Sequence, residues 1–103
     1  YFEELKNHID TEVEKFLSSF SQKNEKYFEI WAFQSLSELL QKEVIAHIFY
    51  LSNNQSTIGL SEANIKEVIK FINGKGNKTI KEIKGLYMRK DGLKIYYSKE
   101  KNL

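Results

Sequence analysis

The chain has 103 residues, a size that suits one domain, and it has no cysteine, which excludes disulfide bonds and thiolate metal sites. Hydrophobic residues make up 41% of the chain, enough for a core, and no apolar run is long enough to cross a membrane. The net charge of +2 is unevenly spread, with five basic and nine acidic residues in 1–60 but eleven basic and five acidic residues in 61–103. This asymmetry favours a basic surface for an anionic partner, although a solvated lysine-rich surface fits the charge equally well.

The first third of the chain predicts a helix followed by an aromatic segment. Apolar residues recur every three or four positions over residues 1–20 and would form one stripe of a helix. The segment Tyr27–Phe33 is aromatic and β-branched, and it is short enough for a strand or an extended connector. The chain starts at Tyr1 with an acidic amphipathic segment and not with a signal peptide, so we expect a fragment of a longer, cytoplasmic protein.

Two more helices are predicted in the middle of the chain. Ser35 and Glu38 have the spacing of a capping box, which predicts the start of the second helix. Residues 52–59 are rich in Ser, Asn and Gly and are predicted to form a loop. Ser61 is expected to cap the third helix, and Gly74 stands where helices commonly end.

The C-terminal part is predicted to form a β-hairpin. Asp91-Gly92 is a strong signal for a two-residue turn, and it would join strands over residues 86–90 and 93–97. A two-residue turn fixes the register of the two strands. The expected pairs are Lys90 with Leu93, Arg89 with Lys94, Met88 with Ile95, and Tyr87 with Tyr96.

Alternation assigns the hairpin side chains to two faces. The apolar face, which we expect to pack on the helices, consists of Leu86, Met88, Leu93, Ile95 and Tyr97. The other face places two like charges beside two tyrosines, which suits phosphate contacts and base stacking. It consists of Tyr87, Arg89, Lys94 and Tyr96. The alternative is a solvated face on which the lysine stem covers a tyrosine.

No catalytic motif is recognisable in the chain. His8 and His47 lie on different predicted helices, and neither has a second ligand at metal spacing. The Gly-x-Gly of residues 73–78 follows a helix, so it lacks the context of a phosphate-binding loop, but it can contact phosphate as a basic loop. We therefore expect no catalytic residue, metal, cofactor or membrane contact in this chain.

From about Leu36 onward, the order of elements resembles the small domain that follows the ATP-pyrophosphatase domain in tRNA(Ile)-lysidine synthetases. Residues 36–45, Leu-Ser-Glu-Leu-Leu-Gln-Lys-Glu-Val-Ile, are similar to a helix of that family but lack its proline. Residues 60–68 are similar to the next helix, with Asn64 where the family often has histidine. The family's Gly-Lys-rich loop and basic hairpin resemble residues 74–78, 85–90 and 93–95, which lack its Leu-Pro pair.

This resemblance covers about two thirds of the chain and implies a role in tRNA modification. The full enzyme would use ATP to attach lysine to the wobble cytidine of tRNA(Ile), and its ATP-binding loop belongs to the other domain. Residues 1–103 would then be a single accessory domain without ligase activity, with 1–33 as connector and extended segment and 34–103 as a helix-helix-hairpin unit. It would contact the catalytic domain of the same chain and hold tRNA. The candidate tRNA-binding residues are Lys75, Lys78, Tyr87, Arg89, Lys90, Lys94 and Tyr96.

The expected fold class is α+β, with three helices, a C-terminal antiparallel hairpin and one short extra strand. The alternative function is a protein-interaction module or homodimerisation domain without nucleic-acid binding. It would be built on Phe28, Trp31 and Phe33, if these residues form an exposed patch and do not belong to the core. A small enzyme without a known motif is the remaining class, and the missing chemistry disfavours it.

Overall fold

The computed structural model describes residues 2–20, 26–53, 56, 58–74 and 79–99. In these ranges, four helices pack with a four-stranded antiparallel sheet, which confirms the α+β class. The helices are α1 (Phe2–Ser18), α2 (Ile30–Gln34), α3 (Glu38–Ser52) and α4 (Glu62–Asn73). The strands are β1 (Tyr27–Glu29), β2 (Ile80–Ile83), β3 (Leu86–Asp91) and β4 (Lys94–Ser98), and their order in the sheet is β1-β4-β3-β2.

The aromatic segment after α1 divides into a strand and a helix. Tyr27–Glu29 pair with β4, but the chain turns into α2 at Ile30 and does not stay extended to Phe33. Phe28 and Phe33 are both fully buried, and their ring centroids lie 5.3 Å apart. The helical turn thus returns Phe33 to the core that Phe28 already occupies. It adds a fourth helix to the three that the sequence predicts.

A further strand, β2, precedes the predicted hairpin. Lys84 and Gly85 both have positive φ, 48° and 89°, and they connect Ile83 to its cross-strand partner Leu86. Positive φ at both loop residues is typical of the type I′ turn, which follows the twist of a hairpin. The C-terminal part is therefore a three-stranded meander, and β1 extends it to four strands.

The predicted register of β3 and β4 is wrong, because the turn lies one residue later than predicted and the pairing is therefore shifted by two residues. The loop consists of Gly92 and Leu93, so Asp91 pairs with Lys94. Gly92 has φ +61°, and glycine at the first loop position is typical of a type II′ turn. A loop made of Asp91 and Gly92 in the type I′ form would require positive φ of the aspartate as well. Leu93 consequently leaves the apolar face and is 75% exposed. The other members of that face are buried as predicted: Leu86, Met88, Ile95 and Tyr97.

The helix starts follow their serine caps. α3 begins after Ser37, whose hydroxyl accepts a hydrogen bond from a backbone N–H of the first turn. The predicted cap, Ser35, instead ends α2 as its C-terminal cap, and its hydroxyl donates to the carbonyl of Trp31 in that helix. The cap of α4 is confirmed, because Ser61 and Asn64 each accept from the other's backbone N–H.

Gly74 follows α4 as predicted, and its backbone is extended with φ −79°. The glycine is required by a close approach and not by a left-handed conformation. A Cβ at this position would lie 2.7 Å from the backbone oxygen of Lys70, and no side-chain rotation can relieve that clash.

Side chains from all four helices and all four strands meet in one core. α1 contributes Val13, which is buried, and its C-terminal half reaches the sheet edge. There the ring of Phe16 lies 5.8 Å from that of Phe28, and the ring of Phe20 lies 6.0 Å from that of Tyr27. The buried core residues are Val13, Leu17, Phe28, Phe33, Val44, Ile45, Ile48, Phe49, Val68, Ile72, Ile83, Leu86, Met88, Ile95 and Tyr97.

Candidate nucleic-acid interface

The sheet carries the core on one face and a group of aromatic and basic residues on the other. Phe28, Met88 and Ile95 are fully buried on three adjacent strands, so the residues before and after them point to the opposite side. We name this opposite side the outer face. It brings together four of the predicted tRNA-binding residues and one that the sequence analysis missed. These residues are Tyr87, Arg89, Lys94 and Tyr96, together with Tyr27.

Arg89 lies opposite Tyr96 and not opposite Lys94, because of the shift in register. The guanidinium carbon lies 4.7 Å from the centroid of the Tyr96 ring, within the range of a cation–π contact. The same guanidinium donates from Nη1 to Asp91 at 3.1 Å. The predicted juxtaposition of two like charges is therefore wrong, and the structure gives Arg89 an aromatic ring and a carboxylate instead.

Lys94 is arranged in a similar way. Its cross-strand partners are Asp91 on β3 and Glu29 on β1, and its Nζ lies 4.8 Å from the ring centroid of Tyr27. The rings of Tyr27 and Tyr96 lie 5.7 Å apart. Contacts thus run without interruption across three strands, and we name this row the ring–cation ladder. It consists, in order, of Lys94, Tyr27, Tyr96 and Arg89.

Acidic residues make the outer face mixed in charge. Strand alternation places Glu29, Glu82 and Asp91 there as well. Each of these carboxylates accepts a hydrogen bond, Glu82 from the backbone N–H of Gly85 at 3.0 Å, Glu29 from the indole of Trp31, and Asp91 from the ladder's guanidinium. Of these donors only the Arg89 guanidinium is charged, so the outer face is mixed in charge and is not a uniformly basic patch.

Three lysines that the sequence analysis did not single out lie at one end of the sheet. Lys26 precedes β1, Lys84 lies in the turn between β2 and β3, and Lys99 follows β4. The strand order brings these three ends together, although the residues are far apart in sequence. They add positive charge next to Tyr87 and could be found only after the topology was known.

Lys90 does not belong to the outer face, unlike the other candidate tRNA contacts that the structure describes. Its side chain crosses to the C-terminus of α4, where Nζ donates to the carbonyls of Phe71 at 2.6 Å and Gly74 at 2.9 Å. A cation at this end of a helix also interacts favourably with the helix dipole. Two other candidates, Lys75 and Lys78, lie outside the described residues.

The alternative aromatic patch is not formed by the three residues proposed for it. Phe28 and Phe33 are buried in the core, whereas Trp31 is 60% exposed.

His47 stacks on Tyr50 at a centroid distance of 6.3 Å. In the described ranges, no group of three or more histidine, cysteine or acidic residues could hold a metal ion. No helix within those ranges is sufficiently long and apolar to cross a membrane.

The pKa shifts in this structure arise from burial of a tyrosine in the core and from a hydrogen bond between two helices. Burial raises the pKa of Tyr97 to about 12. A hydrogen bond of 3.2 Å from Lys42 to Glu62 links α3 to α4, and it raises the pKa of Lys42 and lowers that of Glu62. These groups lie away from the ladder, so their shifts do not prepare the outer face for acid–base catalysis.

Comparisons with protein-family models, curated proteins and solved structures give no match for this chain. The chemistry of the chain's own residues is therefore what indicates its function. Of these, the ring–cation ladder and the lysines at the sheet end are the group best suited to a nucleic acid.

Proposed function

We propose that this chain is a tRNA-binding accessory domain of a tRNA(Ile)-lysidine synthetase. It would help to position the tRNA while a separate catalytic domain of the same protein uses ATP to attach lysine to the wobble cytidine. The order of helix, loop, helix, basic loop and hairpin along the sequence supports this assignment. The proposal includes a cytoplasmic location, where tRNA is modified by such an enzyme.

The single observation that carries the RNA-binding part is the ring–cation ladder. Tyrosine rings offer faces on which bases or sugars can pack, and the interleaved cations attract phosphates. The Arg89 guanidinium lies over the Tyr96 ring, and the Lys94 ammonium lies over the Tyr27 ring, so each cation is held at the surface by an aromatic neighbour. A backbone phosphate approaching either ring would therefore meet a positive charge in a fixed position.

The test compares two double variants with the same change of charge. Arg89→Gln with Lys94→Gln removes both cations of the ladder, whereas Lys66→Gln with Lys70→Gln removes two exposed lysines of α4, in the helical layer. We expect the ladder variant to bind tRNA roughly tenfold more weakly at low salt. The α4 variant should change affinity much less. Equal affinities of the two variants, each with the circular dichroism spectrum of the parent, would contradict the proposal.

A second candidate function is self-association or protein binding through Trp31 and Leu93. These residues are 60% and 75% exposed, and the backbone N–H of Ile30 donates to the carbonyl of Leu93 at 2.8 Å, which holds the two segments side by side. Exposed apolar side chains that adjoin one another can form an interaction site. Sedimentation over a range of protein concentrations distinguishes the two functions, since the RNA-binding proposal requires no concentration dependence.

A further inference from the structure

Trp31 is the single tryptophan of the chain, and it stands exposed beside the outer face. Its indole Nε1 donates to the carboxylate of Glu29. Glu29 points to the outer face by strand alternation, so the edge of the indole lies at the level of that face. The hydrogen bond uses the only polar atom of the indole and orients the ring, whose surface is left for an apolar contact.

Leu93 shares this corner of the molecule. Its carbonyl accepts from the backbone N–H of Ile30, so the turn between β3 and β4 is attached to the residue that precedes Trp31. The next residue, Lys94, begins the ring–cation ladder. A single exposed apolar side chain is ordinary on a protein surface. Here an oriented tryptophan, an exposed leucine and a cation come together at the end of an aromatic row.

We infer that Trp31 and Leu93 form a stacking site for an unpaired RNA base, next to the Lys94 end of the ladder. This inference rests on the proposed function. An indole can stack on a base only if the base's ring is not already covered by its neighbours in a helix. Lys94 follows Leu93 directly at the start of β4, and we assign to it the phosphate of such a nucleotide. RNA that is wholly double-stranded would meet the cations of the outer face but not this site.

Because Trp31 is the only tryptophan, its fluorescence reports on this site alone when tyrosine is not excited. The probes are a short single-stranded oligouridylate and a blunt-ended RNA duplex of the same length, each carrying a fluorophore for a separate anisotropy measurement. We expect the single strand to quench Trp31 emission with the same midpoint as its anisotropy change. The duplex should bind, as shown by anisotropy, without quenching Trp31.

Variants then test whether the contact contributes to affinity. Trp31→Ala should weaken binding of the single strand about tenfold, equivalent to ~1.4 kcal/mol. Trp31→Phe retains an aromatic face and should weaken it much less. Tyr50→Ala is the matched control, because it removes a partly exposed aromatic ring from α3, in the helical layer. If Trp31→Ala does not fold, the quenching experiment and the phenylalanine variant still decide the question.

The outcomes separate this inference from the proposed function. RNA binding without quenching, or with equal affinity for Trp31→Ala and its parent, overturns the stacking site but leaves RNA binding by the ladder intact. Equal quenching by the duplex overturns it as well. No anisotropy change with either RNA at low salt contradicts the proposed function itself. A shift of Trp31 emission with protein concentration, in the absence of RNA, would assign the corner to self-association instead.

Discussion

The guanidinium of Arg89 lies over the ring of its cross-strand partner Tyr96, 4.7 Å from the centroid. This contact depends on the register that Gly92 sets in the turn, since a turn one residue earlier would shift the pairing by two residues and place Lys94 opposite Arg89. The same register gives Lys94 a carboxylate on each side. The turn therefore determines how charge is distributed on the outer face.

A double-mutant cycle measures whether Arg89 and Tyr96 stabilise one another. Arg89→Gln and Tyr96→Leu should show a coupling of about 0.5–1 kcal/mol in the free energy of unfolding, the range of exposed cation–π pairs. The measurement is urea denaturation of the parent, both single variants and the double variant. Arg89→Gln combined with Tyr50→Leu on α3 serves as control and should be additive. Additivity of the Arg89 and Tyr96 substitutions would show that the contact contributes nothing.

Lys90 should matter for stability more than for RNA binding. Lys90→Met keeps most of the aliphatic stem but removes two hydrogen bonds to the carbonyls that end α4, so we expect a loss of about 1–3 kcal/mol of unfolding free energy. Lys6→Met, at an exposed lysine of α1, should change it by less than about 0.5 kcal/mol. Urea denaturation at neutral pH measures both. An unchanged midpoint for Lys90→Met would refute this role, and a large loss of tRNA affinity in the folded variant would show that Lys90 is an RNA contact.

Alkaline pH should destabilise the fold through Tyr97. Burial raises its pKa to about 12 in the folded chain, above the value of about 10 for an exposed tyrosine. The unfolded chain therefore loses this proton first, and the stability that is fully present below pH 10 falls as the pH rises through the folded pKa. Two pKa units correspond to at most about 2–3 kcal/mol. Urea midpoints measured at increasing pH should decline less steeply for Tyr97→Phe, and parallel slopes for the two proteins would contradict this assignment.

The sequence predicts those parts of the fold that local chemistry determines. Ser61 caps α4 with its own first-turn partner Asn64, and the alternation of Met88 and Ile95 identifies the buried side of the hairpin without reference to the rest of the chain. α2 depends instead on tertiary packing, because Phe33 must return to the ring of Phe28. Local periodicity over seven residues cannot show that return.

The sequence likewise predicts only part of the candidate site. The aromatic and basic character of residues 87–96 is visible in the sequence, but the partners are not, since moving the turn by one residue shifts the pairing by two and exchanges Lys94 for Tyr96 opposite Arg89. Tyr27 joins the ladder only because β1 pairs with β4, and these two strands are far apart in the sequence. The sequence shows the charge of Lys90, but only the position of the α4 C-terminus shows that its ammonium donates to the carbonyls there.

The most direct test of RNA binding is the affinity of this 103-residue chain for tRNA over a salt series. Our account predicts that the logarithm of the association constant falls linearly with the logarithm of salt concentration, with a slope equivalent to about two to five phosphates. The Arg89→Gln, Lys94→Gln variant should show a shallower slope than its parent, because it neutralises fewer phosphates. Absence of binding at low salt, or an affinity that does not respond to salt, would contradict the account and leave the outer face as a solvated surface.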